Sequence, residues 1–206
     1  MSGERRISKL SIAEYLKQEE KGQIRHEFVN GRIFEMSGGT LGHNTICLNI
    51  ATSLRERLKG SKCNVYMSDV KVHCTAVNSF YYPDVVVDCG KGSKQDVYTE
   101  TPTMIFEVLS KSTASTDRRE KLVAYQSLPS LQDYVLVHQT KKRVEHYRKV
   151  DEDWVLQDYT EGEEISFAAK SKELPLKISM DEIYADLDFE TSPSMLVRED
   201  VELYAW

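Results

Sequence analysis

The chain has 206 residues, 40% of them hydrophobic and 29% charged, which is apolar enough to bury a core and too apolar for a disordered polymer. No apolar run reaches the roughly 18–20 residues needed to cross a bilayer, and MSGERRISKL carries no apolar segment after its basic residues. The net charge of −6 is uneven: residues 151–206 hold 16 acids and 4 bases, leaving 17 acids and 23 bases in residues 1–150, a balance compatible with phosphate binding.

Cys47, Cys63, Cys74 and Cys89 are scattered, with no C-x-x-C pair and no zinc-ligand pattern, so they read as reduced thiols of a cytoplasmic protein. Ser11 reads as the N-cap of a short helix through Ile12, Tyr15 and Leu16. Asn30-Gly31 lies between the apolar-rich runs 25–29 and 32–36, a hairpin signal because both turn residues need positive φ. Residues 42–59 place Cys47, Ile50, Ala51, Leu54 and Leu58 at helical spacing, with Gly60 as the stop.

Two short strands are expected at 63–67 and 69–74. The run Pro83-Asp84-Val85-Val86-Val87 predicts a strand buried on both faces, and Met104–Leu109 predicts another. A helix over 117–128, stopped by Pro129, then leads to an apolar strand at 134–138; with 104–109 this makes a β-α-β unit, expected to be parallel and right-handed. Residues 143–148 and 154–159 alternate around Asp151-Glu152-Asp153 as a hairpin, and a last helix begins at Ser179. One domain over 1–186, followed by an acidic tail over 187–206, accounts for the whole pattern.

Two carboxylates interrupt strands that otherwise read as core. Asp84 opens the valine run and Glu107 sits inside Met104–Leu109, where an ionised carboxylate is costly unless it is paired or binds a metal. Together they suit a hard cation such as Mg²⁺, or Mn²⁺ in its place. The alternative is that Asp84 caps a turn after Pro83 and Glu107 pairs with Arg118 or Arg119. Lys121 follows in the next helix with Asp117 at i−4, either as a cation for the carboxylate site or as an exposed helix lysine paired with Asp117. His43, at a helix start, reads as a phosphate contact or a surface cap. Lys141-Lys142-Arg143, with Arg148 and Lys149, forms the densest basic patch, read as phosphate contacts or as guards of an edge strand.

The succession P-D-V-V-V, F-E-V-L-S-x-S-T, D-R-x-E-K-L-x-x-Y and Y-V-L-V, with E-F-V-N-G-R-I near Glu27, resembles the Uma-type family of restriction-endonuclease-like proteins, within the PD-(D/E)xK nuclease superfamily. The resemblance covers roughly residues 10–185. It implies an α/β/α core with a mixed central sheet, preceded by an N-terminal helix and hairpin, and metal-dependent phosphodiester hydrolysis with Asp84 and Glu107 as metal ligands. The superfamily lysine, two residues after the glutamate, is Leu109 here, so the resemblance implies its migration to Lys121. It also brings Glu27 near the metal site. The expected activity is therefore a Mg²⁺-dependent endodeoxyribonuclease with DNA as substrate, a second copy of the chain as partner and no membrane. The rivals are a nucleic-acid-binding or regulatory module without turnover, and a structural protein whose buried acids are satisfied by arginine.

Overall fold

The computed structural model describes residues 9–36, 38–171 and 174–189. Helix α1 (Ile12–Lys21) opens on a capping box: the Ser11 hydroxyl accepts from the Glu14 amide, and the Glu14 carboxylate accepts from the Ser11 amide. Strands β1 (His26–Val29) and β2 (Arg32–Glu35) form the expected hairpin, with Asn30 at φ 46° and Gly31 at φ 90°. Helix α2 (Leu41–Arg57) is capped by Thr40 and buries Ile46, Cys47, Ile50, Ala51 and Leu54.

Strands β3 (Asn64–Met67), β4 (Lys71–Cys74), β5 (Ser79–Tyr81), β6 (Val85–Asp88), β7 (Tyr98–Thr99) and β8 (Pro102–Leu109) follow. The chain then turns through α3 (Ala114–Thr116), a π-helical turn at Asp117–Lys121 and α4 (Leu122–Gln126). Strands β9 (Asp133–His138), β10 (Arg143–Val150), β11 (Asp153–Thr160), β12 (Glu164–Ser171) and β13 (Leu174–Ser179) lead to α5 (Met180–Ile183), capped by Ser179.

The large sheet has the order β11-β10-β9-β8-β6-β3, and β8 and β9 are its parallel pair. Alternation along its strands feeds two cores. Val85, Val87, Met104, Phe106 and Val108 face α2, α5 and the β12–β13 hairpin; Val86, Ile105, Leu109 and Leu136 pack with Ala124, Tyr125 and Leu128 on the other side. The result is an α/β/α arrangement around a mixed sheet. A second mixed sheet, β2-β1-β5-β4-β7, carries the N-terminal hairpin. Tyr82-Pro83-Asp84 hands the chain from β5 in the small sheet to β6 in the large one, so the two sheets meet at this tripeptide.

Several expectations need correction. The strands predicted at 63–67 and 69–74 are present as β3 and β4, in different sheets. The helix predicted from 117 begins at Ala114, and the β12–β13 hairpin was not foreseen. The reading of four reduced thiols fails for two of them, because Cys63 and Cys89 form a disulfide. The cause is the antiparallel pairing of Asn64 with Asp88, which sets the two cysteines opposite one another one step further on. Cys47 and Cys74 stay free and buried. Of the expected acidic tail, Leu187 and Phe189 pack against the α2 core, and residues 190–206 lie outside the described residues. No helix among the described residues is long and apolar enough to cross a membrane.

Candidate active site

Lys121 lies at the seam between the two sheets. Its ammonium is 2.9 Å from Glu27 Oε1 on β1, 3.2 Å from Glu107 Oε1 on β8 and 3.3 Å from Asp117 Oδ1 one turn back. The π turn widens the helix at Asp117–Lys121, and Asp117, Lys121 and Tyr125 all meet the site or its ligands. Tyr125 donates to Glu107 Oε1 at 3.0 Å, and the Tyr82 amide donates to Glu27 Oε1 at 3.4 Å. Lys121 is therefore not the exposed helix lysine that its sequence setting allowed: its side chain is 6% exposed. Burial alone would pull its pKa down. The carboxylates of Glu107, Glu27 and Asp117 outweigh burial and hold it well above the ordinary lysine value.

Burial raises the Glu107 pKa well above the usual carboxylate range, with Lys121 opposing and the neighbouring acids reinforcing the shift. Asp117 is raised for the same first reason, and its buried Oδ1, although near Lys121, has no hydrogen bond of good geometry. The alternative of Glu107 paired with Arg118 or Arg119 does not hold. Arg118 instead makes a two-pronged contact with Glu145, at 2.7 and 3.1 Å.

Asp84 stands immediately before β6, next to the pair Val85–Phe106, so it sits across the strands from Glu107. Its Oδ2 accepts from the Val108 amide at 2.6 Å and lies 3.3 Å from His43 Nε2. His43 Nδ1 is in turn 3.6 Å from the Cys47 sulfur, and one ligand atom from each of His43, Cys47 and Asp84 falls within 4.8 Å of the others. Burial, with the Asp84 and Glu107 charges nearby, pushes the metal-free Cys47 thiol far up. The hydrogen bond to Asp84 raises the His43 pKa. The row thus works as a brace that orients Asp84. Neither reading of His43 as a phosphate contact nor as a surface cap anticipated this; the signal was the i, i+4 spacing of His43 and Cys47 on a predicted helix.

Asp84, Glu107, Lys121 and Glu27 all line one cleft of about 390 Å³, with His43 and Asp117. Among the described residues no hydrogen bond takes Asp84 Oδ1 or Glu107 Oε2. These are oxygen donors on neighbouring strands, of the kind a divalent cation such as Mg²⁺ prefers, although among the described residues the three potential ligands whose atoms all fall within 4.8 Å of one another are His43, Cys47 and Asp84. In the basic patch Lys142 pairs with Glu161 and Arg143 with Asp158. Strand β10 lies inside the sheet between β11 and β9, so edge protection does not describe Arg143, Arg148 and Lys149.

The sequence profile of the Uma2 family, described as "Putative restriction endonuclease", matches residues 12–178. The chain belongs to the Uma2 family. It is similar to two uncharacterized proteins of Synechocystis sp. One is 34% identical over 183 residues, covering 88% of this chain and 94% of its own length; the other is 34% identical over 164 residues, covering 77% and 93%. The fold is similar to the crystal structure of "a putative nuclease belonging to DUF820" from Anabaena variabilis, with a TM-score of 0.66 and 14% identity over 84% of this chain and 97% of that one. At that identity the likeness establishes the α/β architecture of this Uma2 chain and carries no residue roles.

Proposed function

We propose that this Uma2 chain is a divalent-metal-dependent endonuclease that hydrolyses phosphodiester bonds of DNA. The observation that carries the reading is the buried Lys121 ammonium held within 2.9–3.3 Å of three carboxylates, in an open cleft that also contains Asp84. Asp84 Oδ1 and Glu107 Oε2 would hold Mg²⁺ or Mn²⁺. When bound, such an ion lowers the pKa of a coordinated water and stabilises charge on the scissile phosphate.

The remaining steps belong to the protein. Val108 N–H and His43 fix the Asp84 carboxylate, while Tyr125 and Lys121 fix that of Glu107. Lys121 keeps its proton through three acids and donates it in a hydrogen bond to the attacking water or to the developing phosphoryl charge. Glu27 holds the ammonium from the opposite wall. As water oxygen attacks phosphorus, the bond to the leaving oxygen breaks; the attacking water gives up a proton to solvent and the leaving oxygen takes one from solvent, so that Lys121 stays an ammonium throughout.

The same reading puts the protein with its DNA substrate in the cytoplasm, on the ground of the substrate alone, since the Cys63–Cys89 disulfide is of a kind uncommon in that compartment. A homodimer would bring one cleft to each strand of a duplex, whereas one copy suffices for a single strand; sedimentation with and without DNA distinguishes these. The deciding assay is cleavage of labelled DNA with Mg²⁺, Mn²⁺ or chelator, by wild type, Asp84→Asn and Glu107→Gln. Metal-dependent cleavage lost in both variants supports the proposal. DNA binding without turnover in the wild type would leave only a binding module.

A further inference from the structure

We infer that the cleft takes an unpaired nucleotide, its base stacked on Phe34, so that the substrate is single-stranded DNA or an unpaired strand rather than regular duplex. The inference rests on the nuclease reading for the phosphate's position and on separate observations for the base. Phe34 is paired directly across from Glu27 in the β1–β2 hairpin, so the two side chains share a face. Glu27 is the residue that touches Lys121, yet Phe34 is 52% exposed. A lone exposed phenylalanine is unremarkable on a protein surface. This one lines the cleft, with Val29 and Met36 beside it, as an apolar wall next to a buried ammonium.

The opposite chemistry fills the rest of the cleft. Glu27, Glu35, Asp84, Glu107, Asp117 and Glu120 line it, and its only cationic or ionisable nitrogen groups among the described residues are Lys121 and His43. Lys121 is shared by three acids and His43 is held by Asp84. Such a lining does not supply the many phosphate contacts by which duplex binders gain affinity. Within the cleft, affinity then rests on one metal-bridged phosphate and an apolar contact. Base stacking on an aromatic ring provides that contact without reading sequence, and only a base freed from its neighbours offers a face to the ring.

Shape points the same way. At about 390 Å³ the cleft is near the small end of the roughly 300–1,000 Å³ range of small-ligand sites, room for one nucleotide unit. The Lys121 and Glu107 side chains are 6% and 5% exposed, so a scissile phosphate has to descend between the hairpin and the helix. A flexible single strand can do this while its adjoining base turns onto Phe34.

The test uses the full chain with Ca²⁺ in place of Mg²⁺, and an oligonucleotide containing the fluorescent base 2-aminopurine, single-stranded or annealed. Wild type and Phe34→Trp are expected to quench the single strand, and Phe34→Ala to bind it about 5- to 150-fold more weakly, the range of aromatic–base stacking. Circular dichroism checks that Phe34→Ala is folded. The annealed form should bind at least about tenfold more weakly than the single strand, and the salt slope should be shallow, about −0.7 per phosphate neutralised. Equal binding of both forms, or Phe34→Ala binding like wild type, overturns the inference. Cleavage with Mg²⁺ is scored in parallel. Phe34-dependent quenching without cleavage upholds this base site and removes the hydrolytic reading. Duplex cleavage indifferent to Phe34 upholds hydrolysis and removes the base site.

Discussion

The Lys121 ammonium lies 2.9 Å from the Glu27 carboxylate, a contact that joins the helix packed on the large sheet to the first strand of the small one. Because Glu107 and Asp117 share the same ammonium, one cation balances three acids in a largely dry seam. Removing it should be expensive.

Lys121→Met is therefore expected to destabilise the metal-free protein by about 3–5 kcal/mol, the usual cost of breaking a buried ion pair. A surface helix lysine, as the sequence alone allowed, would cost less than about 0.5 kcal/mol. Urea melts separate the two outcomes. Added Mn²⁺ should recover more stability in the variant than in wild type, since a cation then replaces the lost charge. A variant melting within about 0.5 kcal/mol of wild type would show that the acids do not depend on Lys121.

Metal binding offers a second check. Asp84→Asn and Glu107→Gln should each weaken Mn²⁺ binding, measured by calorimetry or by Mn²⁺ relaxation. His43→Ala should weaken it by about 10- to 100-fold through the loosened Asp84 carboxylate, the scale typical of groups that orient a ligand. If His43→Ala binds Mn²⁺ as wild type does, the Val108 amide alone suffices to hold Asp84.

The parts of this arrangement that could be read from the chain are those set by local physics. The Asn30-Gly31 turn, the valine strand after Asp84 and the parallel β8–β9 pair follow from turn chemistry and apolar runs. Asp84, Glu107 and Lys121 stood out because charge interrupts apolar pattern. What remained illegible depends on long-range placement. Nothing near Glu27 in sequence says that β1 joins a second sheet whose edge meets the first at Tyr82-Pro83-Asp84. Burial of Lys121 is equally invisible, because Arg118, Arg119 and Glu120 around it suggest an exposed turn and the partners lie 14 and 94 residues upstream. The β12–β13 strands were missed since KSKELPLK reads as polar loop.

The Cys63–Cys89 bridge closes a segment with a sequence separation of 26. Closing a loop of that size is worth about 3 kcal/mol through the unfolded chain. The double substitution Cys63→Ser/Cys89→Ser, or reduction of the wild type, should lower the urea midpoint accordingly. Non-reducing mass analysis with thiol labelling counts the free cysteines directly: two labelled thiols are expected after unfolding, and four would show that the bridge is absent in solution.

The last prediction concerns pH and a group outside the cleft. Glu145 on β10 receives the Arg118 guanidinium at 2.7 and 3.1 Å and lies 2.8 Å from His138. The hydrogen bonds from Arg118, partly opposed by burial and helped by His138, depress its pKa from 4.5 to about 2. A carboxylate with a depressed folded-state pKa contributes stability that is fully present above the unfolded value and disappears as pH falls through the folded one. The window is therefore about pH 4.5 down to about 2. The shift corresponds to about 3 kcal/mol; with the Arg118 side chain 33% exposed, solvent screening reduces this to about 1–2 kcal/mol. Glu145→Gln should be less stable than wild type by that amount at pH 7. The gap should shrink by more than half at pH 3, because below pH 4.5 the unfolded chain's Glu145 takes up a proton while the folded one stays mostly ionised. Urea melts of both proteins at pH 7, 4.5 and 3 measure it. A gap that stays constant down to pH 3 would mean that Glu145 contributes through packing and hydrogen-bond shape rather than through its charge on Arg118.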